Sequence, residues 1–287
     1  MSLTRFNLPP WDGRALLDRD AEERDPDLIR NAWAEADARL LQVDLDSRFT
    51  IEPFGVPTTG ELSDDIAFLG RVHGASWFAQ RVEQIDGITI RDGRLSDLQY
   101  QVVSAALAVL NWHKNTRFCP RCGGQLRYIN GGFAAVCVIC GREHFPRTDP
   151  AIIVAVLDQD DRIFLAHQSV WAVNRVSILA GFIEAGESAE NALHREVAEE
   201  AKLKIDACRF LGSQPWPFSR SLMLAYVARS HSSGQVDQVE LEWGHWYSRA
   251  DVDQAVSAGR LNLPGPGSIA AQVIEAWREG TLPAPED

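Results

Sequence analysis

The sequence lacks any apolar run long enough to cross a bilayer. A membrane-spanning helix needs about 20 consecutive apolar residues, and no segment of the chain approaches that length. The start of the chain also lacks the basic and then apolar pattern of a secretory signal peptide, and internal repeats and low-complexity segments are missing. We therefore expect a cytoplasmic protein that has no membrane partner.

Positive charge is also scarce. Lys and Arg number 28 against 40 Asp and Glu, which gives a formal net charge of −12. An acidic surface repels phosphate backbones, so broad non-specific binding to nucleic acid is disfavoured. A ligand that carries phosphate would have to be held by local donors or by bound cations.

Length and apolar content bound the number of domains. The 287 residues exceed one average domain and fall short of three, so two domains with room for a small insert are the default. Hydrophobic residues make up 45% of the chain and charged residues 24%. This composition is that of a globular protein and is too apolar for a disordered one.

Cysteine is rare, but its spacing is informative. Four of the five cysteines form two Cys-x-x-Cys pairs that are separated by 14 residues, namely Cys119, Cys122, Cys137 and Cys140. Two such pairs can place four thiolates at the corners of a tetrahedron, which suits Zn²⁺. Two disulfides are the alternative, and they are disfavoured in a chain that we expect in the cytoplasm.

Four protein ligands leave no open position on the zinc ion, so this site is predicted to be structural. Six basic residues and two acidic ones lie between positions 114 and 149. A nucleic-acid finger would need such a charge excess, but zinc with four thiolates carries a net charge of −2 that the excess could simply balance. The fifth cysteine, Cys208, is predicted to be a small buried apolar residue.

A second pattern predicts a helix with a glutamate-rich face within residues 181–203. Ser188 is a plausible N-cap, and Glu196, Glu199 and Glu200 stand at positions i, i+3 and i+4 on one face,. Hard cations such as Mg²⁺ or Mn²⁺ prefer such carboxylate ligands. A solvated acidic face is the alternative interpretation of a charge run.

The spacing around this helix resembles the signature of the Nudix hydrolases. Gly181 is followed after five residues by Glu187 and after seven more by the run Arg195-Glu196-Val197-Ala198-Glu199-Glu200. The family then has a glycine where this chain has Lys202, and a left-handed lysine there would cost about 1 kcal/mol. The resemblance implies an α/β/α sandwich fold and hydrolysis of a phosphoanhydride with Mg²⁺ or Mn²⁺. It implies catalytic roles for these residues: Glu187, Arg195, Glu196, Glu199 and Glu200.

A third motif narrows the resemblance to the NADH pyrophosphatase branch of that family. The branch carries a SQPWPFPxS array, and residues 213–221 are SQPWPFSRS, with Ser219 in place of the third proline. The prolines would fix a loop whose two aromatic rings face a heteroaromatic ligand. The alternative is a rigid connecting loop with its aromatic rings packed in the core. The substrate-binding residues implied here are Gln214, Pro215, Trp216, Pro217, Phe218, Ser219, Arg220 and Ser221.

Weaker matches to the same branch add five expected site residues. Phe145 and Phe182 are implied to stack on the substrate, and Ala270 is implied to touch it. The Ala180 carbonyl and the Glu240 carboxylate are implied to join Glu196, Glu199 and Glu200 as ligands of the divalent ion. Glu242 is close enough in the sequence to compete with Glu240.

The resemblance also implies the reaction and the partners. We expect hydrolysis of NADH or NAD⁺ to AMP and the nicotinamide mononucleotide, a homodimer, and action on the NAD-capped 5′ ends of RNA. One alternative is a Nudix hydrolase of another substrate, such as ADP-ribose, a dinucleotide polyphosphate or coenzyme A. The other is a zinc-ribbon binding module whose Nudix core does not catalyse a reaction.

The expected organisation is an α+β N-terminal domain (1–114), a zinc ribbon (115–146) and a Nudix domain (147–287). Apolar periodicity predicts helices at 25–41, 95–113 and 269–277,. Short apolar runs predict strands at 49–53, 66–68, 151–157, 163–166, 176–180 and 222–227,.

Overall fold

The computed structural model describes residues 15–22, 24–93 and 95–285. These residues fall into two compact units. We call residues 15–148 with Trp216–Arg220 the amino-terminal unit, and Asp149–Pro215 with residues 221–285 the carboxy-terminal unit. The ribbon segment therefore groups with the residues that precede it, and the three-domain division stays a prediction. No described helix is both long and apolar enough to span a membrane.

The amino-terminal unit is built around a four-stranded sheet and one long helix. Its first elements are α1 (Pro26–Trp33), β1 (Arg39–Val43), β2 (Val56–Pro57), β3 (Ala67–Val72), β4 (Ala75–Arg81) and α2 (Asp97–Asn115). The sheet has the order β2-β1-β4-β3. Helix α2 starts at a capping box in which Ser96 and Gln99 satisfy each other's backbone N–H groups,, so the helix predicted at 95–113 is confirmed.

Two predicted elements of this unit are wrong. The helix predicted at 25–41 ends at Trp33, and residues 39–43 form β1, which buries Leu40, Leu41 and Val43. The strand predicted at 49–53 is reduced to a single bridge between Phe49 and Ile88. Most apolar residues of both segments are buried, among them Ile29, Leu41 and Phe49, but burial alone does not decide between helix, strand and loop.

The ribbon is a small three-stranded antiparallel sheet. Its strands are β5 (Leu126–Ile129), β6 (Ala134–Cys137) and β7 (Glu143–His144), in that order. A short turn links β5 to β6, and Asn130, Gly131 and Gly132 all have positive φ there. Such a left-handed turn is accessible mainly to glycine and asparagine.

The carboxy-terminal unit contains a six-stranded mixed sheet and three helices. Its elements are β8 (Asp149–Leu157), β9 (Ile163–His167), β10 (Leu179–Phe182), α3 (Ala189–Ala201), β11 (Ile205–Trp216), β12 (Ser221–Ser230), β13 (Trp243–Tyr247), α4 (Arg249–Ser257) and α5 (Ile269–Arg278). The sheet has the order β11-β12-β8-β9-β13, and β10 pairs with β8. The last residue of β11, Trp216, belongs to the amino-terminal unit.

The two faces of β8 explain why helices cover the sheet on both sides. Side chains of a strand alternate between faces, and Ile152, Val154 and Val156 pack in one cluster with residues of α3. The intervening residues Ile153 and Ala155 are also buried, and α5 contacts β8 and β12. The unit is therefore an α/β/α sandwich, which confirms the predicted fold class and the elements predicted at 151–157, 163–166, 222–227 and 269–277.

Candidate active site and zinc site

The four paired cysteines meet at one point of the ribbon. Their Sγ atoms lie within 4.8 Å of one another, and the pairs Cys119–Cys140 and Cys122–Cys137 are 3.8 Å and 3.4 Å apart. The edge of a tetrahedron with Zn–S bonds of the usual length is about 3.8 Å. No disulfide joins these cysteines, so the sulfurs fit a structural zinc ion.

A backbone N–H group favours the thiolate form, which is the form that binds a cation. The N–H of Cys140 lies 3.5 Å from Cys137 Sγ and lowers the pKa of the Cys137 thiol to about 6. Gly123 and Gly141 adopt left-handed φ values of 72° and 68° after the two pairs. A Cβ at Gly124 would lie only 2.8 Å from Cys137 Sγ. The glycines are needed here for both conformation and space.

Helix α3 begins and ends as the sequence indicates. Ser188 Oγ accepts a hydrogen bond from the Asn191 N–H at 3.2 Å, and Glu190 lies in the positive first turn,. The helix ends at Ala201 because Lys202 takes a left-handed conformation with φ 52° and ψ 30°. The lysine thus adopts the conformation that the family's glycine would adopt without a steric penalty.

Replacing Lys202 with Gly is expected to increase the free energy of unfolding by about 1 kcal/mol, since glycine avoids the Cβ clash of a left-handed residue. Chemical denaturation at pH 7 measures this change. Lys202→Ala is the matched control, because it removes the amine but keeps the Cβ, and it should bring no gain. Equal stability of the two variants would contradict the explanation by backbone strain.

Arg195 and Glu187 hold the loop before α3 against the helix. Arg195 donates from Nε and Nη2 to the two Glu187 oxygens at 2.9 Å and 2.8 Å. Its Nη2 also donates to the Phe182 carbonyl at 2.9 Å, and the Glu184 N–H donates to Glu187 Oε2 at 3.0 Å. The hydrogen bonds from Arg195 lower the pKa of Glu187 to about 2. This bidentate pair fixes the loop geometry.

The Glu187–Arg195 pair should contribute to stability only while Glu187 is ionised. The unfolded pKa of a glutamate is about 4.3, whereas the folded value is about 2. The contribution is therefore full above the unfolded pKa and is lost as the pH falls through the folded one. Urea unfolding should show Glu187→Gln less stable than the wild type at pH 7, and this difference should vanish towards pH 2.

Glu184→Gln is the matched control for that experiment, because it removes the same charge from the same loop and leaves the pair with Arg195 intact. It should follow the acid dependence of the wild type. A Glu187→Gln variant that differs from the wild type by the same amount at every pH would show that ionisation of Glu187 does not stabilise the loop.

The three helix glutamates differ strongly in exposure. Glu200 is 4% exposed, whereas the side chain of Glu199 is 62% exposed and accepts a hydrogen bond from Arg195 Nη1 at 3.1 Å. Glu196 Oε1 lies 2.9 Å from the same nitrogen. Within the described part of the chain, only the four cysteines form a group of ligand atoms within 4.8 Å, so the glutamates are brought together less tightly.

The surroundings of Glu196 and Glu200 fit a divalent cation. Glu200 Oε2 is buried and has no hydrogen-bond partner among the described residues. Burial, followed by the charges of Glu196, Glu240 and Asp237, raises the pKa of Glu200 to about 8. A Cβ at Gly181 would lie 2.0 Å from Glu196 Cδ, so this glycine leaves the space that the carboxylate occupies. A cation would relieve the repulsion among these carboxylates.

The structure places Glu240 and Glu242, the two candidates for the downstream metal ligand, in different surroundings. Glu240 is close enough to Glu196 and Glu200 to raise the pKa of both carboxyls, after burial as the main cause. Glu242 Oε2 instead lies 3.5 Å from His167 Nε2. Ala180 lies on β10 beside Gly181. Asp237, which belongs to no motif, accepts hydrogen bonds from the backbone around Glu240. In the sequence, its contact with this backbone is indicated only by the Asp-x-x-Glu pattern, which is typical of a turn.

The two ends of the SQPWPFSRS motif lie in the carboxy-terminal unit. Gln214 has an exposed fraction of 0%, and its Nε2 donates to the Gly267 carbonyl at 2.8 Å while its Oε1 accepts from the Ile269 N–H at 2.7 Å. These bonds attach Gln214 to the start of α5 rather than to an open surface. Ser221 is buried at the start of β12.

The tip of the same motif lies in the amino-terminal unit. The rings of Trp216 and Phe218 are partly buried against its core and meet edge to face, with centroids 5.2 Å apart. The Arg91 guanidinium lies over both rings, at 4.5 Å from Phe218 and 5.5 Å from Trp216. Asn111 Nδ2 donates to the Pro217 carbonyl at 3.0 Å. Arg220 has a left-handed φ of 54°.

Of the three remaining residues that are expected to contact the substrate, two are exposed and one is buried. The side chains of Phe145 and Phe182 are more than half exposed, and Ala270 is buried in the first turn of α5. Single exposed apolar side chains are common on globular surfaces, so the exposure of these rings does not by itself assign them a role. Whether these rings contact a substrate stays a prediction, as do the roles of Pro215, Pro217 and Ser219.

Comparisons with known proteins agree with this architecture. The NUDIX domain family matches residues 147–263, and the NADH pyrophosphatase zinc ribbon domain matches residues 114–145. NAD-capped RNA hydrolase NudC of Mycobacterium bovis is 38% identical over 272 residues, which cover 84% of this chain and 86% of that protein. The protein of the same name from Mycobacterium tuberculosis gives the same figures. NAD-capped RNA hydrolase NUDT12 of Pongo abelii is 34% identical over 197 residues, 64% of this chain and 43% of that protein.

The sandwich fold and the glutamate-bearing helix thus define an enzyme of the Nudix hydrolase class, with the divalent-metal requirement that this class implies. The four-cysteine ribbon and the sequence identity to the NudC relatives along most of both chains identify the family within this class. The chain belongs to the NudC family of Nudix hydrolases, which carries the NADH pyrophosphatase zinc ribbon.

Proposed function

We propose that this protein hydrolyses the pyrophosphate bond of NADH and NAD⁺, and of NAD at the 5′ end of RNA. The observation that carries the proposal is the buried, unpartnered Glu200 oxygen on α3, which has Glu196 and Glu240 close by. An acidic protein gains from such a cluster only if a cation fills it, and a cation there can hold a pyrophosphate. The printed names of the relatives support the choice of substrate.

The proposed cation ligands are the carboxylates of Glu196, Glu199, Glu200 and Glu240 and the carbonyl of Ala180. When bound, Mg²⁺ or Mn²⁺ would neutralise phosphate oxygens and lower the pKa of a water. A carboxylate oxygen of Glu199 or Glu200 would accept the proton of the attacking water. Attack at one phosphorus breaks the P–O–P linkage and releases AMP and the nicotinamide mononucleotide. Arg195 and Glu187 would keep the loop and helix in register during this step.

Substrate recognition is proposed to depend on aromatic rings. Phe182 and Phe145 present exposed faces on which a flat base could stack,. Trp216 and Phe218 pack under the Arg91 guanidinium, and Asn111 binds the Pro217 carbonyl between them, so a contact with a ligand ring would cost these side chains little conformational entropy. We also propose a homodimer in the cytoplasm; light scattering coupled to size-exclusion chromatography tests the dimer.

Product identification tests the proposed reaction. The purified protein is incubated with NADH in separate samples, one with Mg²⁺, one with Mn²⁺ and one with EDTA. The products are then separated by chromatography. AMP and reduced nicotinamide mononucleotide should form only with metal. A panel that adds ADP-ribose, coenzyme A and NAD-capped RNA should show NAD substrates cleaved with the highest kcat/KM. A preference for ADP-ribose, or no metal-dependent cleavage of any substrate, would overturn the proposal.

A further inference from the structure

The segment between β12 and β13 is organised around one carboxylate. Asp237 Oδ1 accepts hydrogen bonds from the N–H groups of Val239 at 3.2 Å and Leu241 at 3.1 Å. The Glu240 N–H lies 3.3 Å from Oδ1 and 3.2 Å from Oδ2 of the same carboxylate. Asp237 therefore binds the backbone on both sides of Glu240 and fixes the turn from which the Glu240 side chain leaves.

The same segment is attached to the end of the glutamate-bearing helix. The Asp237 N–H donates to the Glu200 carbonyl at 2.9 Å, and the Gln235 N–H donates to the Ala201 carbonyl at 2.7 Å. These carbonyls belong to the last turn of α3 and have no partner within the helix. Asp237 is thus joined through its backbone to Glu200 and through its side chain to the backbone of Glu240.

Apolar packing does little to shape this turn. Val239 is 83% exposed and Glu240 is exposed as well, whereas the residues on either side of the turn, Val236 and Leu241, pack in or against the core cluster of the unit. Between these two apolar anchors the backbone is held by hydrogen bonds, and the Asp237 carboxylate accepts three of the N–H groups concerned.

From these contacts we propose that Asp237 is a positioning residue that sets Glu240 beside Glu200 for binding of the catalytic divalent cation. The inference rests on the proposed function, because it assumes that Glu240 and Glu200 are ligands. Asp237 itself is not proposed as a ligand, since both its oxygens already accept backbone N–H groups. Outer groups that orient a ligand typically change metal affinity or activity by about 10- to 100-fold when they are removed.

The test measures Mn²⁺ binding directly, by electron paramagnetic resonance of free Mn²⁺, on the full chain with its zinc retained. Asp237→Ala should raise the Mn²⁺ dissociation constant about tenfold and raise the metal concentration for half-maximal NADH hydrolysis by a similar factor. Asp237→Asn keeps one acceptor oxygen for the Val239, Glu240 and Leu241 N–H groups, so its effect should be smaller. The Michaelis constant for NADH at saturating metal should change less than the Mn²⁺ dissociation constant.

Asp158 offers a matched control in the same unit. Its Oδ1 accepts from the backbone N–H groups of Asp160 and Arg162 in the turn between β8 and β9. Asp158→Ala should lower the melting temperature without changing the Mn²⁺ dissociation constant. The comparison separates the loss of a turn-capping carboxylate from the loss of a positioning one.

The outcomes distinguish the inference from the function on which it rests. If Glu240→Ala weakens Mn²⁺ binding but Asp237→Ala stays within twofold of the wild type, Asp237 has only a structural role and the inference is wrong. If neither Glu240→Ala nor Glu200→Gln changes Mn²⁺ binding, the proposed cation site itself is wrong.

Discussion

Replacing Glu200 with Gln is expected to lower kcat/KM for NADH by about 10³-fold, which corresponds to about 4 kcal/mol of lost transition-state stabilisation. The change removes a carboxylate whose buried Oε2 has no protein partner and which we propose as a cation ligand. It should not lower the melting temperature, because Gln has nearly the same size and removes a carboxyl whose ionisation is opposed by burial and by the charges of Glu196 and Glu240,. Steady-state kinetics at saturating Mg²⁺ and thermal unfolding provide the two measurements.

Glu242→Gln is the matched control, since the same change occurs at a glutamate that lies against His167 rather than against Glu200. Its kcat/KM should stay within a few-fold of the wild type. Retained hydrolysis in Glu200→Gln would remove this residue from the mechanism. A collapse in Glu242→Gln would mean that Glu242, not Glu240, completes the ligand set.

Replacing Cys137 with Ser should have the largest effect on stability. The cluster of buried residues around the cysteines is small, and two of its five members are themselves cysteines, so the ribbon has little core of its own. A structural zinc ion contributes about 10–16 kcal/mol in isolated fingers. We expect the zinc content to fall from one ion per chain to near zero and the melting temperature to fall by roughly 10 °C or more.

Cys208→Ser provides the comparison for that experiment. Cys208 is a partly buried residue against the core of the other unit, and its substitution should leave the zinc content unchanged. Atomic absorption measures the zinc content of both variants, and thermal unfolding measures their melting temperatures. Full zinc content in Cys137→Ser would contradict a four-cysteine site.

The parts of the site that depend on local chain geometry were predictable. The spacing of Glu196, Glu199 and Glu200 fixes them on one turn of helix, and Ser188 marks where that helix begins. The Cys-x-x-Cys spacing likewise dictates two turns that aim paired sulfurs at one point. Within the helix and within each Cys-x-x-Cys turn the contacts join residues that are close in sequence, whereas the pairing of β5 with β6 brings the two cysteine turns together.

Contacts between residues far apart in sequence could not be predicted in the same way. Gln214 was expected to face a ligand, yet it is fully buried and binds the segment before α5, more than 50 positions later. The strand at 39–43 continues an apolar pattern that begins in α1, and only its pairing with β2 and β4 makes it a strand. Pairing partners of this kind leave no mark on the local periodicity.

By itself, the sequence determined the chemistry available to this protein: four sulfurs for zinc, a glutamate-bearing helix, and an acidic surface that disfavours phosphate unless local donors or a cation hold it. The tertiary structure decided the surroundings of each carboxylate. It buries Glu200 with its Oε2 unpartnered, binds the Glu240 backbone to the Asp237 carboxylate, and places Glu242 beside His167. The physical reason is that charge and spacing are properties of the chain, whereas burial and repulsion arise only when distant segments pack together.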